Sequence, residues 1–209
     1  MEKPVVNYES LVRITRSISK FRDPEEIVLI SVEGVTNALK VKGCTLFLFD
    51  KKGDILSLAG SYGLSQEYLD KGPVSAMRSI SSSLEDGQPV AIYDVNDDPR
   101  LQYPEAAHKE GIASILSVPM IIGERTIGCL RVYTAQPWEF RHNDVNFVQA
   151  VAQVVGMALE LCRVNKGYKD SIDILKSMRD PRTLTSTKRT PYEGVPKSFS
   201  KGEVAHAST

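Results

Sequence analysis

Little in this sequence advertises a reaction. Of 209 residues only three are cysteine and one is tryptophan, and 26 Lys and Arg balance 26 Asp and Glu. Three cysteines with no C-x-x-C and no metal-like clustering argue against a disulfide framework or a metal site and suggest a reducing compartment. A formal net charge of zero removes the global electrostatic case for nucleic acid or an anionic membrane as partner. The opening residues MEKPVVNYES hold no apolar leader, and no run is read as approaching the length of a membrane span. There is no Gly-rich phosphate loop, no HExxH and no Ser/His/Asp order worth defending. The expectation is a soluble cytoplasmic protein with no catalytic residue and no metal. What is present is a hydrophobic share of 42%, enough for a sizeable core, in a length that suits one domain or one domain plus a tail.

From Tyr8 to Phe21, Leu11, Ile14, Ile18 and Phe21 recur at helical spacing with Arg13, Arg16 and Lys20 between them. That narrow stripe suits a second subunit as well as its own core. Asp23-Pro24-Glu25-Glu26 is a helix start: Asp23 can cap, Pro24 fits the first position and Glu26 can close a capping box. The second helix runs to about Leu39. Cys44 to Asp50 predicts a strand apolar on both faces and therefore central, followed by a turn at Lys51–Asp54 and a returning strand. A helical turn is expected over Leu64–Lys71, a Ser-rich helix over Met77–Leu84 stopped near Gly87, and a strand over Pro89–Val95. Pro104 to Glu110 reads as a short helix stopped by Gly111. Asn143 or Asp144 is expected to cap a long last helix running to about Lys166, interrupted by Gly167. Ser171 to Met178 suggests a marginal further helix. From Arg179 the composition turns to Ser, Thr, Pro, Lys and Arg, a stretch that cannot bury enough apolar surface to order itself. The expected division is therefore 1–166 and 167–209.

The most informative stretch is SILSVPMIIGERTIGCLRVYT, Ser114 to Thr134. Two apolar strands meet at Gly123-Glu124, where glycine accepts the positive φ of a type II′ hairpin turn. Ile122 then pairs with Arg125. Continued without interruption, that register places Ile115, Ser117, Pro119 and Ile121 with Thr126, Gly128, Leu130 and Val132 on one face. Ser114, Leu116, Val118 and Met120 share the other with Ile127, Cys129, Arg131 and Tyr133. A one-residue slip exchanges the faces of one strand. Pro119, lacking a donor, should sit at a bulge or a free ladder position.

The strings GIASILSVPMIIGERTIGCLRVYT and FRHNDVNFVQAVAQVVGMALE resemble the second half of a GAF domain, and the resemblance runs from about Leu11 to Arg163. It implies an α+β fold: a five- or six-stranded antiparallel sheet, long terminal helices on one face, and short helices and loops covering the other. It also implies a small-molecule-binding or signal-sensing regulatory module, acting through dimerisation and a signalling partner in trans. The homodimer would form through the N-terminal and last long helices. Two rivals stand beside it: a non-binding dimerisation or docking module whose pocket is filled by Phe47, Phe49 or Tyr133, and a redox enzyme resembling free methionine sulfoxide reductase.

The pocket candidates are Tyr93, Asp94, His108, Ser114, Arg131 and Tyr133. A guanidinium inside a buried strand needs an anion or a route to water. Arg131 thus either anchors a ligand carboxylate or phosphate through its planar fork or pairs with an internal carboxylate such as Asp94 or Glu110. Asp94, Asn96, Asp97 and Asp98 form an acidic cluster that lacks the glycine and distal glutamate of an EF-hand loop and reads better as a capped turn. His108 lies on the helix that covers the cavity in GAF domains, as a haem or tetrapyrrole contact, a pH-sensitive lid or a solvated surface residue. No cysteine accompanies it, so the covalent bilin attachment is missing, and the cofactor stays unknown between haem, a small metabolite and none. The reductase reading needs Cys44 and Cys129, on neighbouring strands by the resemblance, within disulfide reach. Both lie in apolar contexts that favour inert thiols.

Overall fold

Six strands join in one fully antiparallel sheet in the computed structural model, which describes residues 8–21, 23–50, 55–70, 74–75 and 87–177. The strands are β1 (Gly43–Phe49), β2 (Ile55–Tyr62), β3 (Val74–Ser75), β4 (Val90–Ile92), β5 (Ser114–Ile122) and β6 (Arg125–Thr134). Their spatial order is β3-β2-β1-β6-β5-β4, so first and last strands are neighbours at the centre. The helices are α1 (Tyr8–Ile18), α2 (Pro24–Leu39), α3 (Gln66–Leu69), α4 (Pro104–Glu110) and α5 (His142–Ser177). The helix expected over Met77–Leu84 and the turn at Lys51–Asp54 lie outside the described residues.

The local chemistry explains most boundaries. Asp23 accepts a hydrogen bond from the Glu25 amide at 2.9 Å, and Pro24 occupies the first position of α2. That helix ends on Lys40, held left-handed at φ 52°. Gly111, at φ 72°, closes α4 as its position after Glu110 predicts. At the start of α5 the Asp144 carboxylate, from the third helical position, accepts from the Arg141 amide at 3.0 Å and the Trp138 indole at 3.3 Å. It therefore caps by reaching backwards, the carboxylate half of a capping box.

One face of the sheet is the main core. Cys44, Leu46, Leu116, Val118, Met120, Leu130 and Val132 pack there against Val28, Val32 and Val35 of α2 and Phe147, Val148, Val151 and Val155 of α5. Each such aliphatic burial contributes roughly 1.5–3 kcal/mol. The α1 stripe joins this core: Ile14 and Ile18 are buried, and a Cβ on Gly34 of α2 would lie 2.8 Å from Ile14 Cγ1. Of the two uses the stripe suits, Ile14 and Ile18 serve its own core, while Leu11 and Phe21 are half-buried against it. On the second face, Tyr68 of α3 and Ala107 of α4 pack with Ile92, Ile115 and Tyr133, while Phe47, Leu56 and Cys129 cluster further along.

The hairpin departs from expectation at one residue. Gly123 takes φ 62°, and Ile122 pairs with Arg125 and Ile121 with Thr126, as read. Then the register shifts: Met120 pairs with Gly128, leaving Ile127 as the extra residue of a β-bulge. Pro119, next along, pairs with Cys129 inside the ladder. Every residue of β6 beyond the bulge changes face relative to β5. Arg131 and Tyr133 share a face with Ser117 and Ile115, not with Ser114 and Leu116.

Two further expectations are corrected. Gly167 does not interrupt the last helix, which continues to Ser177. Residues 142–172 of α5 are long and apolar enough, by length and composition, to cross a membrane, contrary to the reading that no run approaches that length. In this fold Phe147, Val148, Val151, Ala152, Val155 and Leu159 of that segment are buried in the core. The chain divides into two units, Met1–Val164 and Asn165–Thr209; in the second, the described residues 165–177 are helical.

Candidate functional site

Strand pairing builds a floor on the second face from three rows across β1, β6 and β5. Phe47, Cys129 and Pro119 make one row, Thr45, Arg131 and Ser117 the next, and Gly43, Tyr133 and Ile115 the third. The middle row is polar, and all three of its members are buried, with Arg131 only 4% exposed. Directly behind it, on the helix-packed face, runs the wholly aliphatic row Leu46, Leu130 and Val118.

The Arg131 guanidinium carbon lies 5.3 Å from the centroid of the Phe47 ring, a cation–π arrangement. The Tyr133 hydroxyl and the Thr45 hydroxyl are 3.0 Å apart. The Tyr68 ring meets Tyr133 edge-on, with centroids 5.8 Å apart and planes at 80°. Burial raises the pKa of Tyr133 against the opposing pull of Arg131 and the Thr45 hydrogen bond. Burial, followed by the neighbouring Tyr133, raises that of Tyr68. The Cys129 thiol is pushed up by burial although Arg131 and Ser117 pull it down. Cys44 is pushed up by burial and then by Cys129. Around neutral pH the phenols and thiols stay protonated, and the guanidinium carries the charge of the floor.

Beyond Tyr68, between α3 and α4, opens a cavity of about 500 Å³ lined by Ser65, Tyr68, Gln102, Tyr103, Lys109 and Glu110 among others. Tyr68 is thus the wall shared by this cavity and the sheet floor.

Of the six candidates, the structure brings Arg131 and Tyr133 together and separates the rest. Ser114 is buried on the opposite side of β5, where its hydroxyl donates to the Tyr93 carbonyl and accepts from the Trp138 amide at 2.8 Å, tying three segments together. Tyr93 is 60% exposed. Asp94 accepts from the backbone and side-chain nitrogens of Asn96, both at 2.9 Å, and Asp98 grips Arg100, so the acidic cluster forms a capped turn. His108 is exposed, and the inward residue of its helix is the preceding Ala107. Of the two carboxylates weighed as counter-ions for Arg131, Asp94 accepts from Asn96, and Glu110 accepts from Ser65 and lies 3.4 Å from Lys42. Thr45, Ser117 and Tyr68 were not singled out. The first two carry the signal that marked Arg131, a polar residue inside an apolar strand. Tyr68 offered only its place three residues after the helix-capping Ser65.

Cys44 and Cys129 do sit on neighbouring strands, but Phe47 pairs with Cys129 and Cys44 with Val132. Three ladder positions, about 10 Å along the strand, separate them, and the odd offset puts them on opposite faces. A disulfide cannot span that without backbone movement.

A fully antiparallel sheet with its first and last strands adjacent, long helices on one face and short ones on the other defines an α+β module. The GAF domain family matches residues 22–160, and the chain belongs to that family, whose members serve as signal-sensing and regulatory modules. Comparison with curated proteins gives no match in sequence. Among solved structures, the GAF domain of a phosphoenolpyruvate-protein phosphotransferase from Coxiella burnetii is similar with a TM-score of 0.68 at 19% identity, over 76% of this chain and 95% of that one. The GAF domain of an Acinetobacter phosphoenolpyruvate-protein phosphotransferase gives 0.63 at 20% identity, over 75% and 93%. Free methionine-R-sulfoxide reductase from Neisseria meningitidis, in complex with its substrate, gives 0.65 at 19% identity, over 75% and 90%. At these identities the likeness is one of fold.

Proposed function

We propose that this chain is a small-molecule-sensing regulatory module that binds its ligand between the second face of the sheet and the layer of α3 and α4. The observation that carries this reading is the buried Thr45–Arg131–Ser117 row. A guanidinium and two hydroxyls in one buried row cost desolvation that a purely aliphatic row, such as the one behind it, does not. Arg131 would anchor a carboxylate or phosphate through its fork, with Tyr133 and Thr45 as further hydrogen-bonding groups. Binding acts by favouring one packing of the module over another, with no covalent step.

Output is assigned to a homodimer and a partner in trans. Met157, Leu161 and Val164 on α5 are exposed apolar residues at spacings of four and then three. That spacing is the seam of a helix pair. The N-terminal helix buries Ile14 and Ile18 in its own core but leaves Leu11 and Phe21 half-buried, so α5 would carry the larger share of a contact that α1 joins. The three free cysteines suit a reducing cytoplasm. Cysteine redox chemistry is set aside because the two strand thiols lie on opposite faces.

Native mass spectrometry of the protein purified in reducing buffer tests the proposal. The expected result is a mass above that of the bare chain or dimer, lost on denaturation. A ligand-free dimer would favour a second reading, a docking module without ligand. The specific observation behind that alternative is the burial of Phe47 and Tyr133 on the same face.

A further inference from the structure

Glu110 is the last residue of α4, and its side chain is 9% exposed. A carboxylate at a helix C-terminus faces the negative end of the helix dipole, so α4 gains nothing from it locally. Its bonds go elsewhere. It accepts from the Ser65 amide at 3.1 Å and from the Ser65 hydroxyl, and the Lys42 ammonium lies 3.4 Å away. Ser65 is also the N-cap of α3, its hydroxyl accepting from the Tyr68 amide at 3.2 Å. Lys42 lies in the short connection from Lys40, the left-handed end of α2, to β1. One carboxylate therefore joins α4, the cap of α3 and the end of α2. The second link between the short helices, Lys109 to Glu67, is exposed on both sides and contributes little. A seven-residue helix is not stable on its own, so what holds α4 down is Ala107, with its apolar neighbours, and this carboxylate.

The cavity of about 500 Å³ lies beside this junction, and Ser65, Tyr68 and Glu110 are in its wall. Tyr68 rests on Tyr133, so α3 and α4 together close the approach to the sheet floor.

We propose that Glu110 is the latch of this lid: bound to Ser65 and Lys42 it holds α4 shut on α3, and its release opens the cavity toward Tyr68 and Tyr133. Any donor-bearing group that enters the cavity competes with Ser65 and Lys42 for the same oxygens, which couples occupancy to closure. Because Lys42 follows the end of α2, the state of the latch is also felt by a helix on the opposite side of the sheet. The groups facing Glu110 are Lys42 from the α2–β1 connection and Ser65 and Tyr68 from the α3 segment, with Lys109 beside it on α4. Burial opposes its ionisation, but the two Ser65 bonds and Lys42 outweigh that and hold its pKa below the ordinary carboxylate value.

Hydrogen exchange read by mass spectrometry on the full chain, at neutral pH, tests the latch in Glu110→Gln, Lys42→Met and the double variant. In Glu110→Gln, amides of 65–70 and 104–112 should exchange about tenfold faster, the scale of a lost charge-assisted bond, while β5 and β6 stay protected. Lys42→Met should give a smaller acceleration in the same segments, and the double variant no more than Glu110→Gln alone. Unchanged exchange in those segments, with β5 and β6 protected, would overturn the proposal. Should Glu110→Gln also expose β5 and β6, Lys42→Met decides: local acceleration supports the latch, and none refutes it.

Discussion

A Cβ on Gly128 would lie 2.1 Å from the Phe47 carbonyl oxygen and 3.0 Å from Leu48 Cα. Both obstacles are backbone of the neighbouring central strand, so neither can swing aside. Gly128→Ala should therefore destabilise the fold by about 2–4 kcal/mol, above the usual cost of one added methyl, read as a lower urea midpoint with an unchanged slope. Glu110 makes a different residue-scale prediction. Its folded pKa lies below the ordinary value of 4.5, so the unfolded chain takes up the proton more readily as pH falls. The stability it contributes is full above that ordinary value and is lost as pH drops through the folded pKa. Wild type should exceed Glu110→Gln in unfolding free energy at neutral pH, and the gap should close on acidification. A gap independent of pH would assign the difference to packing. At this scale the sequence was legible where a residue contradicts its own strand, as Arg131 does. Thr45 and Ser117 carry the same signal more weakly, as small hydroxyls that a strand accommodates on either face, and Tyr68 acquires meaning only from the Tyr133 ring it meets.

Elements were the most legible level, because their signals are local. The Asp23-Pro24 start, the Gly111 stop and the Gly123 turn each act within a few residues, and each is found where the chain spells it. The bulge at Ile127 has no such signal. It arises where Gly128 closes against β1, a strand some eighty residues earlier, and it reverses the faces of β6 beyond it. Ser114 was grouped with Arg131 for this reason alone. Gly167 errs in the other direction: its local cost, about 1 kcal/mol relative to alanine, was read as a break in a helix that continues through it. The seam proposed on α5 is tested at this scale. Leu161→Glu places a charge at the middle of the exposed stripe, at a side chain that is 53% exposed and outside the buried core. Light scattering should show the dimer replaced by monomer, with thermal stability of the monomer fold retained. A dimer that survives the substitution would move the interface off this stripe.

At the scale of the whole molecule the sheet separates two kinds of work. One face, under α1, α2 and α5, is aliphatic and carries the stability. The other holds the guanidinium, the hydroxyls and the Tyr133 phenol, which meets Tyr68 of α3 edge-on. Glu110 and Lys42 bridge the two sides around the end of the sheet. The sequence by itself determined the α+β class, the membership of the chain in its family, the helix starts and stops, and the presence of an arginine that a buried strand must accommodate. These follow from periodicity, capping and turn chemistry, all of which operate within a few residues of the chain. Only the tertiary structure decided which residues share a face with that arginine, that the two strand cysteines cannot meet, and that Glu110 serves Ser65 and Lys42. Those outcomes depend on register between strands far apart in the chain, where a single extra residue in a ladder of period two turns one side of a sheet into the other.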